Sequence, residues 1–504
     1  MRRAAVSLGR APPAVKRTFL ACLLALTAAS VLLYRTLPEH RSPVPVIHWA
    51  TQDDPVKRET VALFGQWLRD RGLPPIDLRI DHSNQDTMKK LVQGVSGVGD
   101  DLLDLYFGEL EIIQATGMLT DLTDLAPREG YDLGKIYPAA RSDCMVRSRQ
   151  YGFPRNVDVT MCWVNRDTFA RYGQPEPPTR WSWDEFEERG RRFVAAANPP
   201  GSHQRIFYIN RVWPYVLRRG LGLSTFNESA TRCTLDDPRN AEVLKRLYRW
   251  TVEQRLMPTD DEQRAMAADA TGFDSSFALF AAGRFGMIYE GLWALIRLRP
   301  RGDFRLSAVE PFTGGFPNTE LGCGSVVVYK GSKHPELARQ FLQFLASEPF
   351  NLLVARSGDS LPTLPACAQT DAYLRPPDYP NDWGVKAAFA KAGREFAIAQ
   401  SKSPFVLPIV AFRADTESLQ AVLAGRLTPE EAGRSAAARI NAEIALTVRQ
   451  DAALAKLFAE RTVLQQRIDA RRAAGRPVPA AWISDPFHLA YYRAHGWLEK
   501  EAAP

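Results

Sequence analysis

The stretch Gly283-Arg-Phe-Gly-Met-Ile-Tyr-Glu-Gly-Leu-Trp-Ala-Leu295 decides the fold class. Phe285 to Tyr289 is an apolar run with β-branched and aromatic side chains, which predicts a buried strand, and Gly291 allows a sharp turn at its end. Ligands of open α/β sheets bind at the carboxyl ends of strands, so Glu290 and Trp293 are placed to bind a polar ligand and to stack on its apolar face. A lone Trp is also typical of a hydrophobic core, and both interpretations stay open at this point.

Strands and helices alternate along the chain around this stretch. The N-terminal part predicts the order strand, helix, strand, helix, strand, which is typical of a parallel sheet with right-handed crossovers. The predicted segments are strands at Val46–Ala50, Ile76–Ile80 and Leu102–Phe107, a helix with apolar positions Val61, Phe64, Trp67 and Leu68, and a second helix with a core face of Met88, Leu91 and Val92. Further strands are predicted at Val157–Val164 and Gly322–Tyr329. The fold class is therefore α/β.

The excess positive charge of the chain belongs to its N-terminus. The net charge is +7, from 64 basic and 57 acidic residues. Five of the basic residues and no acid lie in the first 17 residues: Arg2, Arg3, Arg10, Lys16 and Arg17. Without these five charges the net charge falls from +7 to +2, so we expect no nucleic-acid partner.

An uncharged segment, Thr18 to Tyr34, follows the basic residues. As a helix its 17 residues would extend about 26 Å, near the lower limit for crossing a bilayer. Positive charge on its N-terminal side predicts that this end lies in the cytoplasm and the bulk of the chain outside. An uncleaved anchor is our working prediction, and a cleaved signal sequence is the alternative, since Ala28-Ala29-Ser30 offers small residues for cleavage.

The cysteines leave the redox chemistry open. Cys22 lies in the apolar segment, and the other five, Cys144, Cys162, Cys233, Cys323 and Cys367, form no CxxC pair. An exported chain can form one or two disulfides from these five residues, and buried free thiols are the alternative.

Motifs of common catalytic sites are absent from the sequence. It contains no GxGxxG, Walker, GxSxG or HExxH motif, so we expect no enzyme activity, no cofactor and no metal. A glycosidase stays an alternative, because its two carboxylates are defined by their distance in space and not by a motif.

Six pieces of the chain, in their order, resemble the family 1 extracellular solute-binding proteins of ABC importers, the group that includes maltose-binding protein. The pieces are Gly117-Met-Leu-Thr-Asp-Leu; Tyr151-Gly-Phe-Pro with Trp163-Val-Asn-Arg-Asp; Pro178 with Trp181-Ser-Trp-Asp-Glu-Phe; Phe280-Ala-Ala-Gly-Arg with Met287-Ile-Tyr-Glu-Gly-Leu-Trp; Ser332-Lys-His-Pro-Glu-Leu-Ala; and Leu427-Thr-Pro-Glu-Glu-Ala with Arg439-Ile-Asn. The resemblance covers roughly Val46 to Thr447. It implies two α/β lobes of the type II periplasmic-binding-protein fold, joined by hinge crossings, with a ligand cleft between them.

The resemblance also implies the domain boundaries. The expected segments are a basic N-terminus at 1–17, the anchor or signal at 18–34, a linker at 35–45, lobe 1 at 46–155 and 325–365, lobe 2 at 156–324 and 366–449, and a C-terminal extension at 450–504. Near-heptad leucines in the extension, from Leu454 to Ile468, favour either assembly or a surface helix packed on lobe 2.

Candidate ligand-binding residues follow from the same resemblance. Trp293 matches the stacking aromatic of the family's Gly-x-Trp motif, Asp158 follows the first crossing, and Phe412 lies where an aromatic residue often faces the sugar. The full candidate set is Gln52, Asp53, Asn84, Phe107, Glu109, Asn156, Asp158, Glu290, Trp293, Phe412 and Arg413.

The resemblance implies an extracytoplasmic monomer that captures a mono- or oligosaccharide and delivers it to an ABC permease, tethered to the membrane by its N-terminal segment. Two alternatives keep the fold but change the role: a membrane-tethered ligand sensor or adaptor, and a binding protein for a solute that is not a sugar.

Overall fold

The computed structural model describes residues 21–22, 24–30, 32, 42–106, 108–266, 275–380 and 383–500. The chain divides into two compact units, Met1–Val46 and Ile47–Pro504. In the first unit, residues 21, 22, 24–30 and 32 are helical, and the rest of the predicted segment 18–34 lies outside the described residues. Among the helices of the described residues, none combines the length and the apolar composition needed to cross a bilayer.

Nine strands of the second unit form one mixed sheet. Its strands are β1 (Val46–Ala50), β2 (Asp77–Asp81), β3 (Leu102–Leu105), β6 (Gly152–Asn165), β7 (Phe207–Ile209), β8 (Phe285–Gly291), β9 (Leu306–Val309), β10 (Thr319–Val328) and β11 (Ala397–Ala399), and a separate hairpin contains β4 (Met145–Val146) and β5 (Arg149–Gln150). The order across the sheet is β2-β1-β3-β10-β6-β8-β7, with β11 paired to β10 and β9 paired to β6. The predicted parallel arrangement holds for β1 and β3, whereas the central strands β10 and β6 are antiparallel.

Helices cover this sheet and continue beyond it. They are α1 (Pro55–Asp70), α2 (Thr87–Val95), α3 (Glu109–Gln114), α4 (Ala126–Glu129), α5 (Arg166–Arg171), α6 (Trp183–Ala197), α7 (Pro214–Gly220), α8 (Pro238–Tyr248), α9 (Asp260–Met266), α10 (Ser275–Ala281), α11 (Ala294–Leu298), α12 (Pro335–Leu345), α13 (Glu348–Ser357), α14 (Asp371–Leu374), α15 (Val385–Glu395), α16 (Pro408–Leu423), α17 (Pro429–Gln450), α18 (Ala452–Ala473) and α19 (Pro486–Ala494). Short 3-10 turns lie at Leu133–Lys135, Pro138–Asp143, Arg299–Arg301, Pro365–Gln369 and Ala480–Trp482, and a π-helical turn at Arg249–Glu253 extends α8.

Two long strands in the middle of the sheet serve both of its halves. The 14-residue β6 pairs with β10 along its first part and with β8 and β9 along its second part. The 10-residue β10 pairs with both β6 and β3. These two strands therefore connect the β1–β3 half of the sheet to the β7–β8 half.

Aromatic side chains pack on the sheet in two large clusters. In one, Phe341 of α12 lies 4.9 Å from Trp49 of β1 and 5.3 Å from Phe64 of α1, measured between ring centroids. In the other, Phe186 of α6 stacks on Phe312 at 3.8 Å. Burial of such rings contributes a large apolar area to folding and holds both halves of the sheet rigid.

The predicted core face of α2 is wrong for Met88 and Val92 and right for Leu91, which packs against a buried cluster that includes Leu103 and Leu105. Met88 and Val92 are 65% and 62% exposed, whereas Lys90 and Gly94 of the same helix are buried. The Lys90 ammonium donates to the Asp104 carbonyl at 2.8 Å and lies 3.5 Å from the Glu109 carboxylate. This polar anchoring of Lys90, together with the close packing of Gly94 against Met118, sets the rotation of the helix.

The C-terminal extension is folded. A capping box of Thr428 and Glu431 starts α17, and the helix breaks at Asp451, which caps α18. The extension attaches to the loop around Glu228: the Glu228 carboxylate accepts from Arg472 at 2.7 Å and from Gln465 at 2.8 Å. Packing on the body of the protein was one of the two predicted roles of the extension.

The six cysteines are free thiols, and five of them are buried. Two of the buried thiols lie close together, with the Sγ atoms of Cys144 and Cys323 at 3.8 Å.

Candidate ligand-binding site

The two long central strands β6 and β10, called the crossing strands below, form the floor of a cavity with a volume of about 1120 Å³. Alternate residues of a strand point to the same face, and the register pairs Asp158 with Gly322 and Asn156 with Gly324. One face of the pair therefore lines the cavity with Asn156, Asp158 and Thr160 of β6 and with Glu320, Gly322 and Gly324 of β10. This floor carries carboxylate, amide and hydroxyl groups on two strands whose backbones are hydrogen-bonded to each other.

Trp293 lies on the wall of this cavity directly after β8. Its indole packs edge to face on Phe277, with ring centroids 5.3 Å apart, and its side chain is half-buried. A Cβ atom at Gly291 would come within 2.5 Å of the Trp293 Nε1 atom and 2.6 Å of the Asp158 Oδ1 atom. Glycine at this position thus allows the indole and the carboxylate to converge on one spot.

Asp158 is the central carboxylate of the floor. Its Oδ1 atom accepts one hydrogen bond, from the backbone N–H of Leu292 at 3.1 Å. Burial raises the pKa of Asp158 well above its usual value, and the neighbouring carboxylates of Asp359, Glu290 and Glu320 raise it further. A carboxylate in this environment gains strongly from a ligand that donates hydrogen bonds to it.

Arg155 also lines the cavity, at a bulge in β6. The register with β10 shifts between Gly324, which pairs with Asn156, and Ser325, which pairs with Pro154. The buried guanidinium lies 3.1 Å from the Asp104 carboxylate and 3.8 Å from that of Asp359, and it donates to the Tyr106 hydroxyl at 2.9 Å. Although burial lowers the pKa of Arg155, Tyr106 and the two carboxylates raise it overall, so the residue stays charged.

A second set of ion pairs involves Asp143, which also lines the cavity. Lys402 lies 2.8 Å from the Asp143 carboxylate and 3.0 Å from that of Glu111. Burial lowers the pKa of Lys402, but these two carboxylates raise it above its ordinary value. Glu320 of the floor accepts a hydrogen bond from the Tyr215 hydroxyl.

The structure brings together four of the eleven predicted site residues on this cavity: Gln52, Asn156, Asp158 and Trp293. Glu290 and Phe412 line a neighbouring cavity of about 740 Å³, where Arg211 donates to the Glu290 carboxylate at 2.6 Å. Phe107 lies outside the described residues.

The remaining four predicted residues line neither cavity. The Asp53 carboxylate pairs with Arg58 at 2.7 Å on the surface, and Arg413 is exposed. Asn84 is buried and donates to Asp100 at 2.6 Å, and Glu109 accepts from the Thr87 hydroxyl and from the Tyr106 N–H. The hydrogen bonds of Asn84 and Glu109 fix the loops of the β1–β3 half.

Sequence reasoning did not find several residues of the cavity: Thr160, Asp143, Arg155, Glu320 and Asp359. Thr160 follows Asp158 by two positions, so strand alternation alone could have indicated it. Glu320 requires the register between β6 and β10, which no local pattern carries.

An α/β body with two halves that share crossing strands, and a cavity above those strands, is the architecture of a two-lobed ligand-binding protein. The chain belongs to the family of bacterial extracellular solute-binding proteins, whose sequence profile matches residues 81–350. No curated protein sequence matches the chain significantly.

The chain matches several solved structures of similar fold over nearly the whole length of those structures. An ABC substrate-binding protein from Listeria monocytogenes, in complex with cycloalternan, has a TM-score of 0.67 and 19% identity over 80% of this chain and 99% of its own. The maltose/maltodextrin-binding domain from Bdellovibrio bacteriovorus, bound to maltotriose, has a TM-score of 0.61 and 16% identity over 79% and 99%. A solute-binding protein from Thermotoga lettingae, bound to alpha-D-tagatose, has a TM-score of 0.63 and 17% identity over 79% and 100%. The predicted two-lobed fold with a cleft between the lobes is confirmed.

Proposed function

We propose that this protein captures a sugar in the cavity above the crossing strands and delivers it to an ABC permease, acting as a monomer and without chemical turnover. The observation that carries the proposal is the lining of the cavity, where Asp158, Asn156 and Thr160 lie beside the indole of Trp293. Sugars present hydroxyl groups around a weakly apolar ring face, so a sugar site needs polar groups and an aromatic surface together. The sugar ligands of the similar structures agree with this ligand class.

The buried polar groups also supply selectivity. Each hydrogen bond between a sugar hydroxyl and a carboxylate contributes about 1.5–3 kcal/mol, and a carboxylate left without its partner costs a similar amount. A sugar with one hydroxyl in the wrong configuration therefore loses a bond and leaves a desolvated group unpaired.

We further propose that the lobes comprise residues 46–155 with 325–365 and residues 156–324 with 366–449, and that they close on the sugar. Closure is favoured by the contacts that the sugar makes in the closed form and lacks in the open form.

A thermal-shift screen of mono- and oligosaccharides tests the function. We expect at least one sugar to raise the melting temperature in proportion to its concentration, to be recovered unchanged, and to reduce the radius of gyration measured by small-angle scattering, which also reports the monomer mass. A shift with a different solute class and none with any sugar would exclude the sugar assignment. Hydrolysis of the bound sugar would favour a glycosidase.

For the location, we propose that residues 18–34 anchor the protein to the cytoplasmic membrane with its body on the outer side. The uncharged composition of the segment and the basic residues before it support this. The full chain, expressed with its N-terminus, should stay in the membrane fraction after washing at alkaline pH, and a chain starting at residue 42 should be released. Recovery of the full chain in the soluble extracytoplasmic fraction, shortened at its N-terminus, would instead identify a cleaved signal sequence.

A further inference from the structure

Two carboxylates of the cavity floor lie close together on neighbouring strands. Asp158 of β6 is paired with Gly322 of β10, so Glu320, two positions away from Gly322, is its diagonal neighbour on the same face. Both side chains are half-buried and line the cavity.

Asp158 and Glu320 differ from the other acids of this cavity in their partners. Four other acids of the lining have a basic partner: Asp54 with Lys57 at 3.0 Å, Asp143 with Lys402 at 2.8 Å, Asp359 with Arg155 at 3.8 Å, and Glu59 with Arg356 at 3.9 Å. Within the part of the chain that the structure describes, Asp158 has only the Leu292 N–H and Glu320 only the Tyr215 hydroxyl within bonding distance. Arg219 acts on Glu320 from farther away, since its guanidinium donates to the Ala399 carbonyl at 2.7 Å. Lys402 also acts on Glu320 from beyond ion-pair distance. Among the described residues, therefore, neither Asp158 nor Glu320 forms an ion pair with a Lys or Arg side chain.

An aromatic side chain lies beside the same carboxylates. The Trp293 indole converges with Asp158 over Gly291, at the wall of a cavity large enough for a disaccharide. A cation is attracted both to carboxylates and to the face of an indole. Among the described residues there is no group of three or more His, Cys, Asp or Glu side chains suited to a metal ion, and an organic cation needs no such group.

We propose that the sugar bound in this cavity carries a protonated amino group, held between the carboxylates of Asp158 and Glu320 beside the indole of Trp293. The inference rests on the proposed function, and it specifies the class of sugar. A neutral hydroxyl satisfies the hydrogen-bonding capacity of these carboxylates but leaves their charge uncompensated, whereas an ammonium group does both.

The electrostatics of the free site agree with this geometry. Burial is the main cause that raises the pKa of both carboxyls, and for Asp158 the other acids around it act in the same direction. An ammonium group offsets both effects, because it supplies opposite charge in place of the water that burial removed.

Isothermal titration calorimetry with matched sugars tests the inference on the full chain in detergent. The panel is glucose, galactose and mannose, their 2-amino-2-deoxy and 2-acetamido-2-deoxy derivatives, and the β-1,4-linked dimers of the glucose series, at a pH where the amines are protonated. We expect one amino sugar to bind at least about 10-fold tighter than both its hydroxyl and its acetamido counterparts.

Substitution then locates the effect. Asp158→Asn should abolish the preference for the amine, whereas the matched surface change Asp77→Asn, at a residue paired with Arg79, should leave it unchanged. Circular dichroism checks folding, and Glu320→Gln provides a second variant should Asp158→Asn unfold. Equal or tighter binding of a neutral sugar would overturn this inference and leave the proposed function standing. No binding by any sugar of the panel would overturn this inference, and the proposed function would be overturned as well if the thermal-shift screen found a different solute class and no sugar.

Discussion

Trp293 has a packed side and a side that faces the cavity, and this division separates its two candidate roles. The ring contacts Phe277 on one side, while the side chain is only half-buried. Part of its surface therefore contributes to the core, and the residue also lines the cavity.

Replacement of Trp293 should affect binding more than folding. We expect Trp293→Ala to weaken binding of the sugar found by the screen by about 30-fold, since a central Trp of a binding site contributes about 2 kcal/mol or more. Calorimetry measures the affinity, and a urea titration measures the free energy of unfolding. Trp497→Ala, at a residue 43% exposed in the C-terminal extension, is the matched control and should leave the affinity unchanged. An unfolded Trp293→Ala protein would establish the ring as core.

At the residue scale, the sequence predicted cavity-lining residues where the position of the side chain depends on a local motif. Trp293 is set by the turn after β8, and Asp158 by its distance from the Tyr151-Gly-Phe-Pro segment, and both line the cavity. Glu290 was predicted from the same turn, but the alternation of β8 and the guanidinium of Arg211 direct it to the neighbouring cavity. The orientation of a side chain at a strand end depends on such pairings, which the local sequence does not contain.

Among the elements, the C-terminal extension has a buried carboxylate, that of Glu228, at its contact with the body of the protein. Glu228 is 3% exposed, and its backbone carbonyl accepts from Ser484 at 2.7 Å while its side chain binds α18 and α19 through Gln465, Arg472 and Tyr492. Burial alone would raise the pKa of Glu228, but His488, the Tyr492 hydroxyl and the Gln465 amide outweigh it and lower the pKa from 4.5 to about 2.

This depressed pKa predicts acid-dependent stability of the extension. Because the folded pKa lies below the unfolded one, the stabilisation is fully present above pH 4.5 and is lost as the pH falls from 4.5 towards 2. A shift of this size corresponds to about 3 kcal/mol. In urea titrations, the advantage of the native protein over Glu228→Gln should be constant above about pH 5.5 and shrink below pH 4.5.

A matched variant controls for general acid unfolding. Glu417 is exposed and pairs with Arg439 at 2.6 Å, so Glu417→Gln should differ little from the native protein at any pH in that range. A pH-independent difference for Glu228→Gln would show that Glu228 acts by packing and not by its charge.

The helix α2 shows what periodicity can and cannot predict about an element. The pattern of the sequence correctly indicated a helix, because its N-cap and its residue types are local. Two of its three predicted core positions, Met88 and Val92, were wrong because Lys90 extends inward to the Asp104 carbonyl, and a lysine is ordinarily expected on the solvent side. A buried lysine of this kind depends on partners that are distant in sequence, so the spacing of apolar residues cannot predict it.

For the whole molecule, the order of motifs predicted the two-lobed fold, since each motif marks a turn or a helix start that recurs in a fixed sequence. The pairing of β10 with β6 joins residues more than 150 positions apart, such as Asp158 and Gly322, and its register could not be read from the chain. The packing of the extension on the Glu228 loop also depends on contacts that are distant in sequence. The cavity could therefore be expected, but the charges on its floor could not.

The bulge at Arg155 has a mechanical consequence for the molecule. An inserted residue lets a strand bend and twist locally, while the hydrogen bonds between the strands stay intact on either side. We therefore expect the crossing strands to bend most easily at this bulge. Bending at the bulge is restrained, because the Arg155 guanidinium is held by the carboxylates of Asp104 and Asp359. We therefore expect the two proposed lobes to rotate about an axis through this bulge, against the ion pairs that hold Arg155.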